Sequence, residues 1–299
     1  MNQETLAFAY GAIGRWLSYL AIVTTLGAAG YLVFIKPALA LEKGYRKTET
    51  SDRVTGIALI AALALLCSTG WQLYAQAYSV FGIDETVTWE HLRIVTLETT
   101  WGTGWLGQAA AAGFAVVLLA LATVMRRKRA IFITVAAIAA AVTVPLTGHA
   151  LSATSTPWLT VSVQAMHVVG VGLWIGTLFV VVATLRSVRG PLALAALKAF
   201  TPLAVAAVAI VAVSGSITAI IYLDSPSMLW TTLYGRTLLL KLTLFTAVGT
   251  LGAYNSRLLQ KISNRNPLEL KLTVGGELLI AGLALAVTAI LVALALSHN

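Results

Sequence analysis

Charge is what this 299-residue chain has least of: Asp, Glu, Lys and Arg make up 10% of it, against the roughly 25% usual in soluble domains. With 59% hydrophobic residues and a mean hydropathy of +0.87, that scarcity excludes an ordinary soluble fold. The chain reads as an integral membrane protein. Cysteine is almost missing as well. A single residue, Cys67, excludes an internal disulfide and a thiolate metal cage within one chain. Because it sits in an apolar run, Cys67 is assigned to core packing. No P-loop is present, which argues against ATP hydrolysis, and the protein is not expected to be an enzyme. Met1 to Tyr10 has no basic n-region and runs straight into a long apolar stretch, so no separate cleavable signal peptide is expected.

Apolar runs of spanning length, roughly 20 residues each, cover about 7–34, 54–77, 101–125, 130–151, 157–185, 200–223, 234–254 and 270–297. They follow one another too closely for a separate soluble domain. The expected fold class is therefore all-α, a bundle of eight transmembrane helices in one integral membrane domain, 1–299. Sixteen of the twenty Lys and Arg residues fall around the first, third, fifth and seventh connections. The positive-inside rule then puts both termini on the periplasmic side, and it explains the +9 net charge by cytoplasmic loops, not by nucleic acid. The second connection, 78–100, is acidic, carrying Asp84, Glu85, Glu90 and Glu98 with His91 against one base, Arg93.

Four histidines exist, and two lie in the stretch Thr147 to Trp174 on apolar segments. Leaving water costs a polar ring about 2 to 7 kcal/mol unless something bonds or ligates it. A metal is one such partner. On the fifth helix Gln164, His167, Gly170, Val171 and Trp174 share a stripe, so Gln164 is placed to orient the His167 imidazole and Trp174 to floor its pocket. Met166 lies about 100° round the helix. His149 follows Pro145, which bends the fourth helix and frees a backbone acceptor. Rise per residue puts His149 and His167 about 9 Å apart in depth, a ladder more than one compact site. Imidazole with thioether or carboxylate help suits copper, zinc, iron or nickel, and His91 and Glu98 in the acidic connection are candidate entry ligands. Two histidines on adjacent helices also raise haem b as an alternative cofactor, which the depth offset disfavours. Gly172 and Gly176, four apart, read as close helix packing.

Three charges fall inside spans: Arg15, Lys241 and Glu277. An unpaired charge at mid-membrane costs about 2.5 to 3.5 kcal/mol even on lenient scales. Lys241 and Glu277, on consecutive antiparallel helices, form a candidate pair at poorly matched depths, whereas Arg15 is expected to snorkel to the interface.

The seventh span carries the most specific pattern: Tyr234, Gly235, Arg236, Leu239 and Lys241 in YGRTLLLKLTLF, then GAYNSRLL with Asn255 and Arg257. With Ser214 and Gly215 upstream and Glu277 downstream, it resembles the CopD family of bacterial copper resistance and copper uptake membrane proteins, over a region of about 195–297. Gly148, His149, His167, Trp174 and Gly176 resemble the longer, eight-span members. The resemblance implies copper handling at the bacterial cytoplasmic (inner) membrane, with uptake from the periplasm, and a periplasmic copper-binding partner of the CopC type. Copper is thus an implication of the resemblance, with Cu(I) and Cu(II) both open. Only four methionines occur, which does not support a methionine-rich Cu(I) relay. A copper assembly or sensing partner that transports nothing is a further alternative.

Overall fold

The computed structural model describes residues 3–42, 45–82, 85–148, 157–185, 191–223, 225–261 and 267–297. Among them every regular element is helical. Eight helices are long and apolar enough to cross a membrane: α1 Gln3–Leu39, α2 Lys47–Val80, α3 Thr100–Val124, α4 Arg129–Thr147, α5 Pro157–Thr184, α6 Leu192–Tyr222, α7 Leu233–Leu259 and α8 Leu272–Leu294. The protein is a multi-pass helical membrane protein. In hydrocarbon each backbone N–H and C=O needs a partner, which a helix supplies within one segment. Threonines follow the same rule: Thr25, Thr55 and Thr69 return their hydroxyl protons to carbonyls four residues back.

The bundle is built round α1. Its apolar window is 72% buried against 11% for α7, because α1 packs on α2, α4, α5 and α8 together. Small residues permit this. Gly27 and Gly176 meet backbone to backbone where α1 crosses α5, and Gly172 leaves room for Leu26. Both helices carry a π-helical turn near this crossing, Tyr31–Ile35 in α1 and Gly172–Gly176 in α5. Polar pairs fix the register of α1 on its neighbours: Ser18 with Ser68 at 2.8 Å, Gln72 donating to Ser18 at 2.6 Å, and the Trp16 indole donating to the Gly282 carbonyl at 3.2 Å. Each such interhelical bond contributes about 0.6 to 2 kcal/mol. At the basic-loop end, buried Arg129 on α4 grips Asp52 on α2.

Four sequence expectations change here. The fourth helix stops at Thr147, after Pro145 has tightened it into a 3-10 turn, and Gly148 is already extended. His149 falls outside the described residues. The acidic connection contains a nine-residue helix, Trp89–Leu97, started by a capping box between Thr88 and His91. Arg15 does not snorkel: it is 7% exposed, beside Tyr19 and against Gly11, because α1 is covered on nearly every side. Cys67 is not in the core; it lies on the exposed outer face of α2, since the covered face of that helix is taken by Leu65, Ser68, Thr69 and Gln72.

Candidate functional site

The second half of the bundle, α5 to α8, encloses a column of polar side chains. At the end of the column away from the basic loops the Gln164 amide donates to the Tyr222 hydroxyl at 3.1 Å. Tyr234, at the start of α7, lies close enough to interact electrostatically with Tyr222. Gln164 thus ties α5 to α6 and does not orient the imidazole as the helical stripe suggested.

His167 lies about one turn further in. Its Nδ1 is 3.1 Å from Ser214 Oγ on α6, and Gly215 leaves space beside the ring. The tautomer follows from donor counting. Ser214 has one hydroxyl proton, which it gives to the Ile210 carbonyl at 2.6 Å. Its oxygen is then left to accept from His167, and the Val211 carbonyl lies within reach of the same ring. With the proton on Nδ1, the tautomer this arrangement favours, Nε2 keeps its lone pair, the form that binds a metal. Lys241 on α7 stands in the same tier and acts electrostatically on the ring.

Below this tier Trp174 packs edge-on against Phe245, ring centroids 5.8 Å apart at 89°. Below that again, Glu277 on α8 accepts from the Asn255 amide at 2.9 Å, with the Trp174 indole directed at the same carboxylate. Glu277 and Lys241 therefore form no ion pair with each other: each belongs to a different tier, about 15 Å or more apart along α7 if Asn255 marks the lower one. Trp174, expected to floor the His167 pocket, lies seven residues and about 10 Å along α5 from His167, against Phe245.

Other candidates fall elsewhere. Met166 is 56% exposed on the outer face of α5, while His167 faces α6, so the two do not converge. His91 spends Nδ1 on the Thr88 backbone N–H and stacks on Phe81 at 4.3 Å. Glu98 is held by Arg93 at 3.2 Å, as is Glu90 at 2.7 Å. The hydrogen-bonded Arg93 guanidinium keeps the Glu90 carboxyl below the usual carboxylate range. Among the described residues no three His, Cys, Asp or Glu side chains gather to hold a metal ion.

Within the seventh-span pattern the roles divide. Gly235 lies under the Met228 carbonyl, where any Cβ would collide, and Arg236 donates to the Trp230 carbonyl at 2.9 Å. These two fasten the short helix Met228–Thr231 to the start of α7. Tyr234 and Asn255 instead face the column. Ser214 entered only as part of the family resemblance and Tyr222 not at all, since nothing in spacing tells which residue of α6 meets which residue of α5.

Comparison with known proteins points the same way. Residues 6–156 match the family described as copper resistance protein D-like, N-terminal domain, and residues 194–291 match copper resistance protein D. No curated protein and no solved structure gave a match. The family description carries copper and says nothing of haem b. With one match spanning half the sequence and the second covering α6, α7 and most of α8, this chain belongs to the copper resistance protein D family of membrane proteins.

Proposed function

We propose that the protein moves copper from the periplasm into or across the bacterial inner membrane, using His167 as the ligand inside the bundle and His149, in the connection just before α5, as the outer one. The observation that carries this reading is the His167–Ser214 bond, which leaves Nε2 as a free donor atom inside an apolar bundle. Met166, His91 and Glu98 are secondary candidates, the last two at an entry formed by the acidic connection. The charge distribution supports both termini on the periplasmic side. A periplasmic copper carrier of the CopC type is the proposed donor. Lys241 beside His167 opposes a resting cation there, which favours transit over storage.

Metal analysis of the purified protein is the test. His149→Ala together with His167→Ala is expected to abolish stoichiometric copper binding; unchanged binding removes the assignment. Copper accumulation in proteoliposomes holding only this protein then separates a transporter from a passive assembly partner.

A further inference from the structure

The lower tier of the column has an imbalance that copper binding at His167 does not explain. Glu277 is 2% exposed on an apolar helix. Its Oε2 accepts from Asn255, and Gly252 keeps the other side clear: a Cβ there would stand 3.1 Å from Oε1. Asn255 is itself 5% exposed, and its Oδ1 has no hydrogen-bond partner. The carboxylate thus has donors, while the carbonyl oxygen next to it has none. One added proton corrects the count. A protonated carboxyl gains an O–H donor, the partner type that Asn255 Oδ1 lacks, and the tier becomes neutral.

The charged and titratable groups on the packed neighbours do not neutralise Glu277 otherwise. They include Arg15 and Tyr19 on α1 and Lys241, Tyr254 and Arg257 on α7; among the described residues none forms an ion pair with Glu277, and what holds the carboxylate is Asn255 and Trp174. An open cleft lies one residue along α7 from Asn255. Ser256, next to Asn255, lines a cleft of about 400 Å³ with Lys198, Thr201, Pro202 and Leu259, between α6 and α7 near the basic-loop end.

We propose that Glu277 and Asn255 form a proton site that exchanges with water through this cleft, so that copper passing inward from His167 is exchanged against a proton. An O–H bond forms on Glu277 with a proton from cleft water, and release returns that proton to water, leaving a carboxylate held by Asn255 and Trp174. The site stands on its own geometry; only its coupling to copper rests on the function proposed above.

The test uses full-length, metal-free protein in lipid nanodiscs and infrared difference spectra across pH. A carboxylic-acid C=O band that shifts in heavy water is expected in wild type and in His167→Ala, and is lost in Glu277→Gln. An identical band in Glu277→Gln overturns the proposal. Glutamine mimics the protonated acid, since its amide N–H reaches the same orphan oxygen, so Glu277→Gln is expected to keep or raise the thermal midpoint. A marked fall would make the carboxylate a structural anion and overturn the proposal equally. In proteoliposomes with an entrapped pH dye, copper should move protons with wild type and not with Glu277→Gln, which retains wild-type copper stoichiometry. Equal proton movement in both sinks the coupling. If copper added to His167→Ala erases the band, the site is a metal site instead. Copper binding unaffected by the two histidine substitutions, with the band present, would sink the copper assignment and leave the proton site standing.

Discussion

Ser214→Ala tests the reading of His167 with a change that touches no ligand. In the native arrangement Ser214 Oγ accepts the Nδ1 proton at 3.1 Å and passes its own to Ile210. Leaving a buried donor without its acceptor costs about 1 to 3 kcal/mol, and each 1.4 kcal/mol is tenfold in an equilibrium constant. Loss of the group that orients a ligating histidine lowers metal affinity by roughly 10- to 100-fold. The Val211 carbonyl lies within reach of the ring and remains in the alanine variant. The expected loss is therefore near the lower end, about tenfold in copper affinity with stoichiometry unchanged. The assay is competition for copper against a chelator of known affinity in detergent. Ser214→Thr should restore most of the affinity, because its hydroxyl can make the same bond to the preceding turn. An alanine variant that binds as wild type does, or a threonine variant no better than alanine, would refute the assigned tautomer and with it the case for Nε2.

Replacing Lys241 with Met removes a positive charge beside His167, so copper should bind on the order of tenfold more tightly and leave more slowly; weaker binding in stopped-flow release experiments would contradict a repulsive role. Gly176→Leu places a side chain into the Val23 carbonyl on α1, and overpacking at such a contact costs about 1 to 3 kcal/mol or more, so the thermal midpoint of the solubilised protein should drop sharply; a stable variant would show that α1 and α5 are not packed this closely. Arg129→Ala strips Asp52 of its buried partner. Removing one member of a fully buried pair costs about 3 to 5 kcal/mol, but Asp52 is half exposed, so about 2 kcal/mol is expected. In the Trp89–Leu97 helix the Glu90 carboxyl is held below its ordinary value of 4.5 by Arg93. Its contribution is therefore complete above that ordinary value and lost as pH falls through the lowered one; Arg93→Ala should move the Glu90 titration in carboxyl-selective NMR back up toward 4.5, and an unmoved titration would contradict the pair.

The helices were legible because spanning length and apolar composition are properties of one segment, and all eight could be read without knowing any contact. What the pattern misplaced were ends and orientations. The fourth run stays apolar through Leu151, yet Pro145 ends the helix near Thr147: hydropathy does not sense a lost N–H. Cys67 and Arg15 were each judged by residue type, the thiol inward and the guanidinium outward. Both reverse because the hub is α1, which covers Arg15, and no single-helix pattern says which helix will be the hub. The site was half readable. His167, Trp174, Asn255 and Glu277 were singled out from type and position, but their pairing with Ser214, Phe245 and each other depends on the relative heights of four helices. Gln164 shows the limit: the stripe rule put it next to His167 correctly, and its amide nonetheless turns to a tyrosine on another helix.

The uneven packing of the two halves bears on how such a column could work. α1 is closed in by four helices and stitched to α2 by serine and glutamine hydrogen bonds and to α8 by an indole one, whereas α6 and α7 touch sparsely and leave a cleft between them. Elements that open locally come from the sparsely packed end of a structure, and a cation crossing the column needs Trp174 and Phe245 to part. Trp174 sits on the π-helical turn of α5, where the regular hydrogen-bond ladder is already widened and a register change costs least. Its backbone neighbours Gly172 and Gly176 are clamped on α1, so the motion falls to the side chain and to α7, which carries Phe245, Lys241 and Asn255 together. A shift of α7 alone would thus loosen the ring contact, move the ammonium away from His167 and change the Asn255–Glu277 bond in one step. On the function proposed above, the rigid half would hold the ligand in place and the loose half would gate it.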